Sequence, residues 1–166
     1  MRPASWWASK VRQFRAHLRA RVAPTERAEL GAWLTAAQLE LFDAMPAADR
    51  RHGLDVAAAL RARGVSDADV ILAGLLHDAG KGPDVGLWPR VAWSLGEGLG
   101  PWLVSAAALL PGFRVALDRL RDHAGLSADL AAAAGCPPRT VALIRHQAAP
   151  NDTEYGELLR LADEVN

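Results

Sequence analysis

Cysteine is almost absent: Cys136 is the only one in 166 residues. No intrachain disulfide and no cysteine zinc site can form, and a reducing compartment is expected. β-Branched residues are scarce too, with isoleucine confined to Ile71 and Ile144 and only four threonines. Strands built on alternating β-branched residues are therefore not expected. Net charge is missing, at +0, so the whole molecule is not an electrostatic nucleic-acid binder and no DNA partner is expected. No apolar run reaches the roughly 18 residues of a membrane span. Basic side chains interrupt the N-terminal stretch every few positions, so a secretory signal is not expected either. These absences together describe a soluble, cytoplasmic protein.

What is present favours helix: alanine, leucine and arginine dominate. The expected fold class is all-α. A first helix is predicted over residues 5–22, with Trp7, Val11, Phe14 and Leu18 as one apolar stripe. Its other face is basic, since residues 1–25 carry Arg2, Lys10, Arg12, Arg15, Arg19 and Arg21 and no acid. We expect this helix to pack on the domain with its basic face solvated, in preference to lying on an anionic membrane surface. Pro24 starts a second helix, and Thr35 with Gln38 forms a capping box that opens a third. Asp49 is placed as N-cap of a fourth helix that carries His52 and stops at Gly64. Ser66 and Asp69 are expected to cap a fifth.

That fifth helix is the chain's focus. The run Val70 to Leu76 is small or apolar, and it delivers His77 and Asp78 at its end. Gly80 and Gly82 are expected to break the helix there. A buried imidazole and carboxylate need partners or a metal, because an uncompensated buried charge is costly. Residues 79–101 read as the loosest part, rich in glycine, with a short helix around Trp88 to Leu95. Helices are expected at 101–110, 113–122 and 126–134, the last two separated at His123. Another runs from Pro138 to near His146, and Asp152 caps a last one that carries Asp163. Trp33, Trp88, Trp93 and Trp102 are expected to pack between helices.

His52, His77, His123 and His146 all fall at helix ends or early helical turns, and Asp78 and Asp163 lie among apolar neighbours. Their wide spacing cannot make a local metal clip. It can make a site only where several helices each bring a ligand to a bundle centre. Imidazole and carboxylate without thiolate suit iron or manganese, then magnesium, zinc or nickel.

The ordered set His52, His77-Asp78, Gly80-Lys81, Asp163 resembles the HD superfamily of metal-dependent phosphohydrolases. The stretch His77-Asp-Ala-Gly-Lys81-Gly82 is close to the HD-Ile-Gly-Lys-Gly form of that family's central motif. The resemblance implies an HD-domain helical bundle over 49–166, with residues 1–48 as an N-terminal helical extension packed on it. It assigns His52, His77, Asp78 and Asp163 to one metal ion, and gives His123 and His146 the order of ligands to a second. It further implies hydrolysis of a phosphate ester or anhydride of a nucleotide, dinucleotide or cyclic dinucleotide by a metal-activated hydroxide. HD domains of cyclic-di-AMP phosphodiesterases and of diadenosine tetraphosphate hydrolases are the patterns most like it. Two departures are visible. Many two-metal members carry a His-His pair where this chain has His146-Gln147, and the Gly-Tyr-Pro signature of cyclic-di-GMP-degrading members is absent.

In this reading Asp78 and Lys81 are the catalytic pair, because a carboxylate can bridge metals and the lysine can meet a phosphate as a point charge. Arg51 and Arg145 are candidate substrate contacts. The rival reading is a non-catalytic HD-fold signalling or interaction module that retains metal binding. A homodimer stays open in both.

Overall fold

The computed structural model describes residues 19–165. Among them are nine α-helices, one 3₁₀ turn and no strand, as the scarcity of β-branched residues requires. The helix expected over 5–22 falls almost entirely outside the described residues.

Helix α1 (Pro24–Gly31) begins on a proline whose missing N–H costs nothing at a helix start. Helix α2 (Ala36–Ala44) opens on the expected capping box. Gln38 N–H donates to Thr35 Oγ1 at 3.3 Å, and Thr35 N–H donates to Gln38 Oε1 at 3.0 Å. Helix α3 (Ala47–Ala62) begins three residues earlier than expected, with Pro46 at its N-cap. Asp49 is therefore not the cap; it lies in the first turn, buried, with Arg90 as its partner. Helix α4 (Ala68–Leu76) is capped by Asp67, which accepts from Asp69 N–H at 2.9 Å, instead of by Ser66.

α4 is the axle of the fold. Every residue from Val70 to Leu76 is buried, because α2, α3 and the helices over Pro138–Arg145 and Gly156–Val165 pack around it. The core joins Leu30, Leu34 and Phe42 of the first two helices and their connection to Val56, Leu60, Leu75, Ile144 and Leu159. The N-terminal helices thus share one apolar interior with the rest.

After the 3₁₀ turn (Ala79–Lys81) come α5 (Leu87–Leu99), α6 (Pro101–Ala107) and α7 (Phe113–Ala133). The residues expected to be loosest therefore form a helix longer than predicted. The break expected at His123 does not occur. The buried stripe Leu117, Leu120, Ser127, Ala128, Ala131 keeps helical spacing straight through Gly125. Packing of that stripe outweighs the roughly 1 kcal/mol a mid-helix glycine costs against alanine. A second, smaller core of Val85, Ala116, Leu117 and Leu120 collects Trp93, Val104 and Phe113. Of the tryptophans expected to pack, Trp93 does so, while Trp88 and Trp102 are 68% and 64% exposed.

Helix α8 (Pro138–Arg145) ends with His146 as its C-cap, and α9 (Gly156–Val165) closes the described chain. Asp152 accepts from Glu154 N–H and Tyr155 N–H and so caps the turn that leads into α9. Arg139 braces this end of the bundle. Its guanidinium meets Asp67 at the start of α4, and Asp152 and Glu154 before α9. Its hydrogen bond to Asp152 holds that carboxyl at about 2, below the ordinary range.

Candidate metal centre

Close packing at three glycines, two of them against backbone, brings the ligands together. Gly53 follows His52 on α3, and a Cβ there would lie 2.3 Å from the Leu75 carbonyl oxygen. Only a glycine lets α3 settle against α4 at this point, which sets the His52 and His77 rings 5.1 Å apart between centroids, edge to face. Gly74, on α4, meets side chains instead, and a Cβ there would lie 2.8 Å from Leu60 Cδ1, the end of a flexible side chain. Gly80, within the 3₁₀ turn, would put a Cβ 2.5 Å from both His123 O and Ser127 N. Its role is close contact with α7, and the left-handed break expected of it belongs to Gly82, at φ 70°. The turn is pinned to α7 from both sides. Gly80 N–H donates to Ser127 Oγ at 2.8 Å, and Arg119 Nε donates to Gly80 O at 2.9 Å. Gly80→Ala is expected to cost at least about 2–3 kcal/mol in urea unfolding, since the atoms it meets are backbone and cannot rotate away.

His77 and Asp78 sit at the floor, 1% and 2% exposed in their side chains. Asp163, on the last turns of α9, reaches in beside them, its Oδ1 2.8 Å from His52 Nε2 and 3.3 Å from His77 Nε2. Asp78 Oδ1 lies 3.5 Å from His77 Nε2, and Asp78 Oδ2 lies 4.0 Å from His52 Nε2. Nitrogen or oxygen ligands each about 2.1 Å from one ion stand roughly 3.0–3.4 Å apart at right-angled or tetrahedral positions. Asp163 Oδ1 stands near that scale from both histidine nitrogens, and the three donors all lie within 4.8 Å of one another.

Two tautomers are fixed by the backbone. His77 Nδ1 faces the Gly74 carbonyl at 2.9 Å and His123 Nδ1 faces the Leu120 carbonyl at 2.6 Å. A carbonyl only accepts, so both Nδ1 atoms carry the proton, and Nε2 is the atom each ring turns to the site. His77 Nε2 is buried and has no hydrogen-bond partner. A buried nitrogen without a partner is rare, and here it faces two carboxylates. His123 Nε2 stands 3.7 Å from Asp78 Oδ1.

The electrostatics suit a cation. Burial disfavours a charged His77, but Asp78 and Asp163 outweigh it and push the imidazole up to about 9. Burial would likewise raise both carboxyls. His77 and Lys81 hold Asp78 well below the carboxylate range, and His52, hydrogen-bonded to Asp163, does the same for that carboxyl together with the nearby charge of His77. The carboxylates that hold a proton on His77 hold a metal equally well, so proton and metal compete for Nε2. Burial pushes His123 down, keeping its ring neutral and its lone pair available.

Lys81 donates to Asp78 Oδ2. Burial opposes its charge, and Asp78 more than compensates, so the ammonium stays protonated. The mouth of the site is formed by Asp163, His123, His52 and Lys81, whose side chains are partly exposed above the buried floor.

Among the described residues no hydrogen bond or ion pair joins the other candidates to this group. His146 makes no hydrogen bond or ion pair with this group among the described residues; its neighbour Gln147 instead donates to the His77 carbonyl at 3.3 Å. Arg51 pairs with Glu26 and Asp55, and Arg145 with Asp129. Sequence reasoning missed Gly53, Ser127, Arg119, Gln147 and the Asp49–Arg90 pair. Gly53 alone carried a signal, as a glycine in mid-helix directly after a candidate ligand.

No protein-family model, no curated protein and no solved structure matches the chain.

Proposed function

We propose that this chain is an HD-type metal-dependent phosphohydrolase acting on a phosphate ester or anhydride of a nucleotide-like compound. The observation that carries it is His77 Nε2, buried and unpartnered where His52, Asp78 and Asp163 converge. These donors fit a divalent ion: they are nitrogen and oxygen atoms turned to one point, with His77 Nδ1 held by the Gly74 carbonyl and Asp78 Oδ2 by Lys81. Iron, manganese and zinc all suit such a set. A bound divalent ion supplies a hydroxide nucleophile at neutral pH and positive charge against the phosphoryl oxygens.

The chain's own residues do the rest. Gly74 O and Leu120 O orient His77 and His123 so that each presents Nε2. His123, neutral and at the mouth, is placed to take a proton or to serve a second ion. Lys81 offers a fixed positive charge beside Asp78, where a substrate phosphate would arrive.

The test is elemental analysis of purified protein, followed by hydrolysis of nucleotides, dinucleotides and bis(p-nitrophenyl) phosphate with Mn²⁺ or Fe²⁺. About one metal equivalent and metal-dependent hydrolysis, both lost in His77→Ala, are expected. A fully metal-loaded His77→Ala protein with unchanged activity would refute the mechanism. Absence of metal after reconstitution would leave the fold and turn the reading to the non-catalytic module.

A further inference from the structure

We infer that the α5–α6–α7 corner is a docking surface for an anionic lipid bilayer, inserted shallowly through Trp102, Leu109 and Leu110. The inference rests on this surface and is independent of the site's chemistry. Residues 98–113 carry no charged side chain, and α6, which lies within them, has no buried residue. Trp102 is 64% exposed, Leu109 86% and Leu110 52%, with Leu99 and Val115 exposed beside them in the chain. Exposed apolar side chains concentrated in this way mark an interaction surface.

Hydrogen bonding indicates what covers it. Trp102 and Ser105 have the only polar side-chain atoms in the stretch, and both donate inward, to Leu99 O at 3.1 Å and Pro101 O at 3.2 Å. The turn between α6 and α7 is closed by Leu109 N–H to Ala106 O, Leu110 N–H to Ala107 O and Phe113 N–H to Leu110 O. A protein partner would use about one hydrogen bond per 100–200 Å² of interface, and these side chains offer none. Hydrocarbon asks the opposite, that polar groups be satisfied internally.

Charge supplies the second argument. Arg114 is the only charged residue between Glu97 and Asp118; it is exposed and makes no ion pair among the described residues. It stands next to the apolar turn, where a lipid phosphate would lie.

The full chain is sedimented with phosphatidylcholine vesicles, with and without phosphatidylglycerol, beside the double variant Leu109→Asp/Leu110→Asp. Wild type should pellet with the anionic vesicles, and the double variant should partition at least about tenfold more weakly. Its far-UV circular dichroism and thermal midpoint should match wild type, because both side chains are exposed. Wild type that stays in the supernatant overturns the inference. Equal pelleting of the double variant overturns it too, moving the contact to another segment such as the N-terminal run. Equal binding to uncharged vesicles removes the anionic requirement. A wild-type dimer that the double variant loses, without vesicle binding, gives the surface to a second copy.

Discussion

Asp78→Asn protein is expected to bind Mn²⁺ at least about a hundredfold more weakly than wild type, since loss of an outer-shell partner alone costs about 10–100-fold. Under the proposed function, hydrolysis should fall by at least the same factor, since several kcal/mol of charge stabilisation would depend on the ion. The amide keeps the shape of the carboxylate, so the change isolates charge. Asp78 is the hub of the floor: His77, His123 and His52 each present Nε2 within 4.0 Å of its oxygens, and Lys81 donates to it. Without that charge the histidines lose the group that favours a cation among them. The fold should survive, because the Lys81 side chain is 21% exposed and can turn to water. Equilibrium dialysis against Mn²⁺ measures the first quantity and steady-state hydrolysis the second. Wild-type affinity in the variant would remove Asp78 from the site.

The largest effect on stability is expected from Arg90→Ala, at about 3–5 kcal/mol, the usual cost of removing one partner of a buried pair. Arg90 holds Asp49 with two parallel contacts of 2.6 and 2.7 Å, and its Nε donates to Val85 O at 3.1 Å. The side chains are 15% and 5% exposed, so water cannot replace the lost guanidinium at Asp49. One arginine thereby ties α5 and its approach to the first turn of α3, one helical turn from His52. Urea unfolding should also show that Arg90→Leu combined with Asp49→Leu recovers much of the loss, because no charge is then stranded. A single-variant loss below about 1 kcal/mol would mean the pair behaves as a solvated surface bridge.

Much of this architecture could be read from local signals. The Thr35–Gln38 box, the proline starts of α1 and α8 and the apolar run into His77-Asp78 are each decided within a few residues. The helical expectation followed from composition and holds throughout the described residues. What escaped was set by residues far apart. Asp49 looked like a cap because Arg90, 41 positions away, is invisible from its neighbourhood. His123 looked like a break because the stripe that carries α7 past it faces other helices. Gly53 and Gly80 matter for atoms they lack against Leu75, His123 and Ser127, which no local pattern reveals. Trp88 and Trp102 looked like packing residues, since an indole in a sequence says nothing of which side of a helix is covered. The four site residues on α3, α4 and α9 were nameable from order and type, while the backbone carbonyls that orient His77 and His123 were not.

His52 and Asp163 are 111 positions apart and meet at 2.8 Å, with His77 and Asp78 between them in sequence. The unfolded chain therefore contains no local clip, and a cation that fits the four side chains has only the native state to bind. Mass action then links the folded fraction to the free ion concentration. At a hundred times the dissociation constant the gain is about 2.7 kcal/mol, a large fraction of the margin by which a domain of this size stays folded. A cell that regulates such an ion would regulate the lifetime of this protein along with the hydrolysis we propose for it.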